Sequence, residues 1–226
     1  MEFARLIHAA EEFARVEMAG NDGSHDFEHV ERVRRLALRL AREVPEDLSS
    51  DEDFATVELG ALLHDVQDHK YAGENADPSS SVATLLREHG ASEELIDRVV
   101  YVVVNVSWSK QMKRSEPLRM TPELAVVQDA DRLDSIGAIG IARCFAFGGS
   151  RGRGLYSLDA TAPTPEIRRD GDKSDETSIG HFFDKLFKIK NYMNTDGGKR
   201  EAAVRHQYLE SFVAQLASEV ETVSSA

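Results

Sequence analysis

Apolar residues in this chain recur at intervals of three and four, the period of a helix face. Nowhere do they settle into the strict alternation of a half-buried strand. That periodicity predicts an all-α fold. A first helix is expected over about residues 2–18, stopped by the turn-rich GNDGS. Asp26 then caps a second helix, with Phe27, Val30, Val33, Ala37, Leu40 and Ala41 on one side. A third is expected from about Asp53 to Asp68, with Phe54, Val57, Ala61 and Leu62 facing inward. A fourth runs from about Pro78 to Gly90, and Ser92 caps a fifth. The fifth contains RVVYVVVNVSW, whose β-branched residues suit a strand. Its helical flanks and the lack of a partner strand favour a buried helix.

Thr121-Pro122-Glu123 is a compact helix start, Thr as N-cap and Pro in the first turn. That helix is expected to reach about Phe147, with a break at Gly137 or Gly140. HFFDKLFKIKNYM and the segment from about Lys199 to Val223 supply two more helices. Before them, the basic glycine-rich GGSRGRG at 148–154 leads into a polar stretch, 157–177. That stretch is too long for a routine connection and reads either as a lid over a pocket or as a polar loop.

A length of 226 residues suits one domain spanning 1–226, with enough chain for its own core. No apolar run approaches a membrane span, and MEFARLIHAAEEFARVEMAG is an acid-bearing amphipathic helix rather than a signal peptide. The single cysteine, Cys144, cannot form an internal disulfide, so a cytoplasmic setting is expected. A formal net charge of −13 repels a polyanion, which argues against nucleic acid as a partner. It leaves small phosphorylated ligands and divalent cations open.

The unusual residues fall on the apolar faces. His29 lies one turn before Val33, on a stripe continued by Leu36 and Leu40. Phe54, Val57, Ala61, Asp65 and Asp68 form a continuous helical series with His64 beside it, and Leu124, Val127, Asp131, Asp134 and Ala138 form another. An ionised carboxylate in apolar surroundings costs several kcal/mol unless it is compensated. Neutral imidazoles and carboxylates gathered from three helices make a suitable shell for a divalent metal. Blander readings stay open on the residues alone. His-Asp recurs at His25-Asp26, where it reads as capping and packing; a lone histidine on an apolar face is usually a core residue; and Asp131 could pair with Arg132 or Arg143.

The ordered set His29 … His64-Asp65 … Asp131 resembles the H…HD…D signature of the HD-domain metal-dependent phosphohydrolase superfamily. HDFEHVERV, LGALLHDV and VVQDADRLDSIGAIGIAR resemble the segments that carry those ligands. With HFFDKLFKIKNYMNT, the likeness extends over about residues 20–215 and points to the bacterial-type subgroup that includes nucleotide pyrophosphohydrolases. The resemblance implies an HD-domain-like helical bundle with its metal site at the junction of core helices. His29, His64, Asp65 and Asp131 would bind the ion, and Asp65 and Asp68 would be catalytic, Asp68 as the acid that holds the attacking water. Two-metal branches of the superfamily add further histidines, including an adjacent pair, where this chain offers only His69 and His89. One divalent ion is therefore expected, and Mn, Mg, Co, Ni, Fe and Zn all remain candidates.

Phosphoryl transfer also needs cations on the non-bridging oxygens. Lys185, Lys188 and Arg143 lie in segments that resemble the subgroup's, and His181 joins them as a candidate substrate contact. Arg132, Arg151 and Arg153 are read as surface charge, and Asp134 as support or participant. The expected activity is hydrolysis of (deoxy)nucleoside triphosphates to monophosphate and pyrophosphate, by a protein that could act as a homodimer. The alternatives are a phosphomonoesterase acting on nucleoside monophosphates and a non-catalytic ligand-sensing module of the same fold.

Overall fold

The computed structural model describes residues 3–66, 77–158, 167 and 177–224. Its elements are helical. They run α1 (Ala4–Met18), α2 (Phe27–Ala41), α3 (Asp51–Leu63), α4 (Pro78–Glu88), α5 (Glu93–Asn105), α6 (Trp108–Lys113), α7 (Pro122–Asp134), α8 (Gly137–Ser150), α9 (Ser178–Asp184), a 3₁₀ helix (Leu186–Tyr192) and α10 (Asp196–Ser224). Among the described residues the sole β pairing is an isolated antiparallel bridge between Leu158 and Ile167. The all-α expectation holds, and so does the helical reading of the valine-rich α5. Among the described residues no helix is long and apolar enough to cross a membrane.

Side-chain chemistry explains most helix starts. Asp26 accepts the His29 N–H at the head of α2. Ser50 and Asp53 form a reciprocal capping box at the head of α3, which begins two residues before the expected Asp53. Asp77 caps α4, and Ser92 caps α5. Gly90, at φ 86°, occupies the left-handed turn between them.

Two expectations about extent are corrected, and an expected break is located. Helix α3 stops at Leu63 with His64 as its C-cap, so it does not reach Asp68, which lies outside the described residues together with His69. The break expected at Gly137 or Gly140 is found, and it divides the segment into α7 and α8. Ser135 turns its hydroxyl onto the Arg132 carbonyl, Ile136 is extended, and Gly137 takes φ 75°. A Cβ on Gly140 would lie 2.2 Å from the Ser135 carbonyl oxygen, so the corner needs glycine there too. Ala138, read as inward, is exposed as a result. HFFDKLFKIKNYM is likewise not one helix. Lys185, at φ −132° and ψ −58°, separates α9 from the 3₁₀ helix, so Lys185 and Lys188 do not share one regular helical face. The short α6, which the periodicity did not signal, follows a break at Ser107. Of the polar stretch 157–177, only residues 157, 158, 167 and 177 are described.

The chain divides into two compact units, Met1–Asn21 with His25–Asp131, and Asp22–Ser24 with Arg132–Ala226. Helix α3 is the hub of the first and packs against α1, α2 and α5. It is buried on nearly every side, with Val57, Leu59, Ala61, Leu62 and Leu63 all at 0% exposure, as a central helix must be. Gly60 lets α5 approach: a Cβ there would lie 2.8 Å from a Val102 methyl. In the second unit, Phe145, Phe182, Phe187 and Phe212 form an aromatic core, with Phe182 and Phe212 stacked at 5.9 Å between ring centroids.

Candidate metal centre

Three helices of the first unit deliver the candidate ligands. His29 lies in the first turn of α2, its position fixed by the Asp26 cap, and is fully buried. Asp26 and His25 thus occupy the capping turn, and the His25 ring meets the His29 ring edge-on at 6.0 Å. His64 closes α3, and its Nδ1 lies 2.7 Å from the Ala61 carbonyl. That oxygen can only accept, so Nδ1 carries the proton, and in the neutral imidazole Nε2 presents a lone pair. Asp65 follows directly. Asp131 comes from α7, three turns into a helix whose positions Leu124 and Val126 to Ala130 are completely or almost completely buried.

These side chains converge. The two Nε2 atoms are 3.2 Å apart. The His29 Nε2 lies 3.3 Å from an Asp65 oxygen and 3.7 Å from an Asp131 oxygen. The His64 Nε2 lies 3.6 Å and 3.9 Å from the same two oxygens. Ligand atoms of His29, His64 and Asp131 all fall within 4.8 Å of one another. Donors about 2.1 Å from a shared ion stand roughly 3.0–3.4 Å apart, and the observed spacings cluster at and just above that range. A His64 lone pair aimed at two carboxylates is repulsive unless a cation lies among them. The donor set therefore fits a divalent ion, with two neutral nitrogens and two anionic oxygens offsetting its charge.

The imidazoles are sealed, whereas the Asp65 and Asp131 side chains keep 17% and 26% exposure. The site is open on its carboxylate side, where a water or a substrate oxygen could join the shell. Arg143 makes its bonds within the second unit. Its Nε donates to the Ser24 carbonyl at 2.6 Å and its Nη1 to Asp134 at 3.0 Å, so Asp134 anchors an arginine in the second unit. His181 lies in α9, Lys185 at the junction after it and the exposed Lys188 in the 3₁₀ helix, all in the second unit with Arg143. Asp68 lies outside the described residues.

Sequence reasoning missed two fully buried polar residues on α7, Gln128 and Asp129, and read as surface charge Arg132, which is buried and donates to the Tyr192 carbonyl. Gln128 donates to the Asn105 carbonyl at the end of α5. Because α7 is buried on more than one side, a single apolar stripe could not flag them. The pattern QDAD, two acids spaced by one alanine, was the available signal.

Against this geometry, the HD domain family matches residues 26–136, a span that contains every candidate metal ligand. YpgQ of Bacillus subtilis is 36% identical over 204 residues, covering 90% of this chain and 88% of YpgQ. The crystal structure of YpgQ in complex with ADP is similar with a TM-score of 0.69 at 32% identity, over 93% of this chain and 97% of that one. A Bacillus thuringiensis HD-superfamily hydrolase gives a TM-score of 0.70 at 34% identity, covering 96% and 97%. A Lactobacillus plantarum protein gives 0.75 at 32%, covering 94% and 95%.

Proposed function

Since this chain belongs to the HD domain family and is a metal-dependent phosphohydrolase, we propose that it hydrolyses nucleoside triphosphates between the α and β phosphates, releasing pyrophosphate and using a single divalent ion. The observation that carries the proposal is the meeting of His29, His64, Asp65 and Asp131 from three helices. The nucleotide in the YpgQ complex supports the substrate class. The small number of histidines between Asp65 and Asp131 supports one ion rather than two.

A divalent ion in such a shell supplies an acidified water and a Lewis acid for a phosphoryl oxygen. The protein's own part is positional. His29 and His64 offer neutral nitrogens, Asp65 and Asp131 offer charge, and the exposed edge of the two carboxylates faces the incoming phosphate. Asp68 is proposed to accept the proton from the attacking water. Lys185, Lys188, Arg143 and His181 are proposed as substrate contacts. Lysines would act as point charges on non-bridging oxygens, and Arg143 would contribute a guanidinium already oriented by Asp134 and Ser24.

The test is a panel of nucleoside mono-, di- and triphosphates with Mn, Mg, Co, Ni, Fe and Zn, with pyrophosphate resolved from orthophosphate. Monophosphate and pyrophosphate from a triphosphate is the expected outcome. Orthophosphate from monophosphates alone would replace the proposal with a phosphomonoesterase. Nucleotide binding without turnover under every metal would make the chain a sensor.

A further inference from the structure

Two arginines outside the ligand set each hold three carboxylates, and each ties together helices that carry the ligands. Arg34, on the His29 helix α2, directs Nε to Glu58 of α3 at 2.8 Å, with Nη2 on the same oxygen. Its Nη1 reaches Glu11 of α1 at 3.2 Å and Glu31 of its own helix at 3.3 Å. Arg98, on α5, directs Nη1 to Glu52 at 3.3 Å and Nη2 to Asp53 at 2.6 Å, both at the head of α3. The same Nη2 donates to Glu123 in the first turn of α7. Arg34 thus joins the helix of His29 to that of His64, and Arg98 joins the helix of His64 to that of Asp131.

Both clamps are partly withdrawn from water, with side-chain exposures of 20% for Arg34 and 28% for Arg98. Burial alone would lower the Arg98 pKa, yet its bonds to Glu123 and Asp53 hold it above the ordinary arginine value. At 1.5 Å rise per residue, Glu58 is about 9 Å along α3 from His64, Glu123 about 12 Å along α7 from Asp131, and Arg34 about 7.5 Å along α2 from His29. A rigid helix carries a shift at the clamp directly to its ligand. A site of this kind tolerates errors of only about 0.5 Å.

We propose that Arg34 and Arg98 are positioning residues of the metal centre: they fix the registers of α2 against α3 and of α3 against α7, so that the four ligands are gathered before the ion arrives. The proposal rests on the reading that those four residues hold a divalent ion. It has an opposite-signed competitor, which makes it sharp. Deleting a cation near the centre, if only charge mattered, would strengthen attraction for a divalent ion. A deletion that weakens binding therefore acts through geometry.

The experiment measures Mn²⁺ affinity of the full-length protein by isothermal titration calorimetry, with the melting temperature of the metal-free protein recorded alongside. The variants are Arg34→Met, Arg98→Met, Arg34→Lys, Arg98→Lys and, as control, Arg87→Met. Arg87 holds Glu93 through two 2.7 Å bonds, the same chemistry between α4 and α5, helices that carry no ligand. Expected are losses of tenfold or more in Mn²⁺ affinity for the two methionine variants, a smaller loss for the lysine variants, and a change within twofold for Arg87→Met. If Arg34→Met and Arg98→Met lower the melting temperature but bind Mn²⁺ as tightly as the wild type, or more tightly, the proposal is overturned. An equal loss in Arg87→Met also overturns it. Should the methionine variants fail to fold, the lysine variants decide, because they keep the charge and lose the fork. A wild-type protein that binds no ion would instead bring down the reading of the centre itself, a distinct result.

Discussion

The molecule buries an imidazole beside a carboxylate in two kinds of place. At the candidate metal centre, His29 and His64 meet Asp65 and Asp131, residues up to 102 positions apart in sequence, and each imidazole faces both carboxylates. In the second unit His206, 5% exposed, lies 3.1 Å from Glu210 one turn along the same helix, while Glu210 is 58% exposed. His206 lines an open groove of about 430 Å³ with Phe183, Phe187, Lys190 and Val213, and its buried Nδ1 has no hydrogen-bond partner among the described residues. The difference teaches what marks a metal site. A histidine four residues from a glutamate on one helix is a local pair that folding produces at little cost. Side chains gathered from α2, the end of α3 and α7 converge at an entropic cost that no local pair carries, and a cluster of imidazoles and carboxylates suits a cation.

The contrast breaks most visibly at Asp131. Asp131→Ala should lower turnover by about 10³-fold or more, the equivalent of several kcal/mol of charge stabilisation, and strip the ion as well. Glu210→Ala, the matching change at the other imidazole, should leave turnover and metal load within about twofold. Steady-state assays with elemental analysis read both. Equal losses would erase the distinction.

Asp68→Asn sharpens it next. Turnover should fall by about 10²–10⁴-fold with the metal load intact, as expected for a proton acceptor that is not a ligand. A near-wild-type rate would make Asp68 a bystander, and loss of metal would make it a ligand.

Acid should act on the two units differently. Burial raises the Asp53 pKa, but the Ser50 amide and Arg98 override it and hold that carboxyl well below its usual range. Glu123, despite burial, is likewise lowered by Arg98. Carboxylates depressed in the fold add stability that is present above about pH 4 and lost as pH falls through their folded values. The melting-temperature gap between wild type and Arg98→Met should thus be widest above about pH 5 and shrink below about pH 3. A gap constant with pH would show that the clamp acts by packing alone.

The smallest effect belongs to His206. Burial lowers its pKa, Lys190 adds to that, and Glu210 opposes without reversing it. The unfolded chain then binds a proton that the fold resists, so stability falls as pH drops below the ordinary imidazole value of about 6.5. His206→Gln should remove a shift of a few degrees or less in thermal melts between about pH 7 and pH 5. An identical slope in both proteins would remove His206 as the source.

The amino-acid sequence carried the helices because they are periodic signals, and the same periodicity set the candidate ligands apart, whereas their role came from resemblance. His29 on the α2 stripe and Asp131 where a leucine belongs could be read by eye. What it did not carry follows from physics that a single stripe cannot encode. Helix α3 ends at Leu63 because His64 turns back onto the Ala61 carbonyl. The break before α8 was legible in Gly137 and Gly140, but not its geometry, in which Ser135 folds over Gly140. Arg34 and Arg98 gave no local signal, since their partners Glu58 and Glu123 are 24 and 25 residues away. Arg143 was read as a substrate contact from resemblance alone, and its bond to Ser24 spans 119 residues that no local pattern links.

The most direct test of the account is the metal content of the wild-type chain and Asp131→Ala after equilibrium dialysis against Mn²⁺, by elemental analysis. One ion per wild-type chain and none in the variant is the predicted result. Equal loading of the two proteins, or none in either, would contradict it.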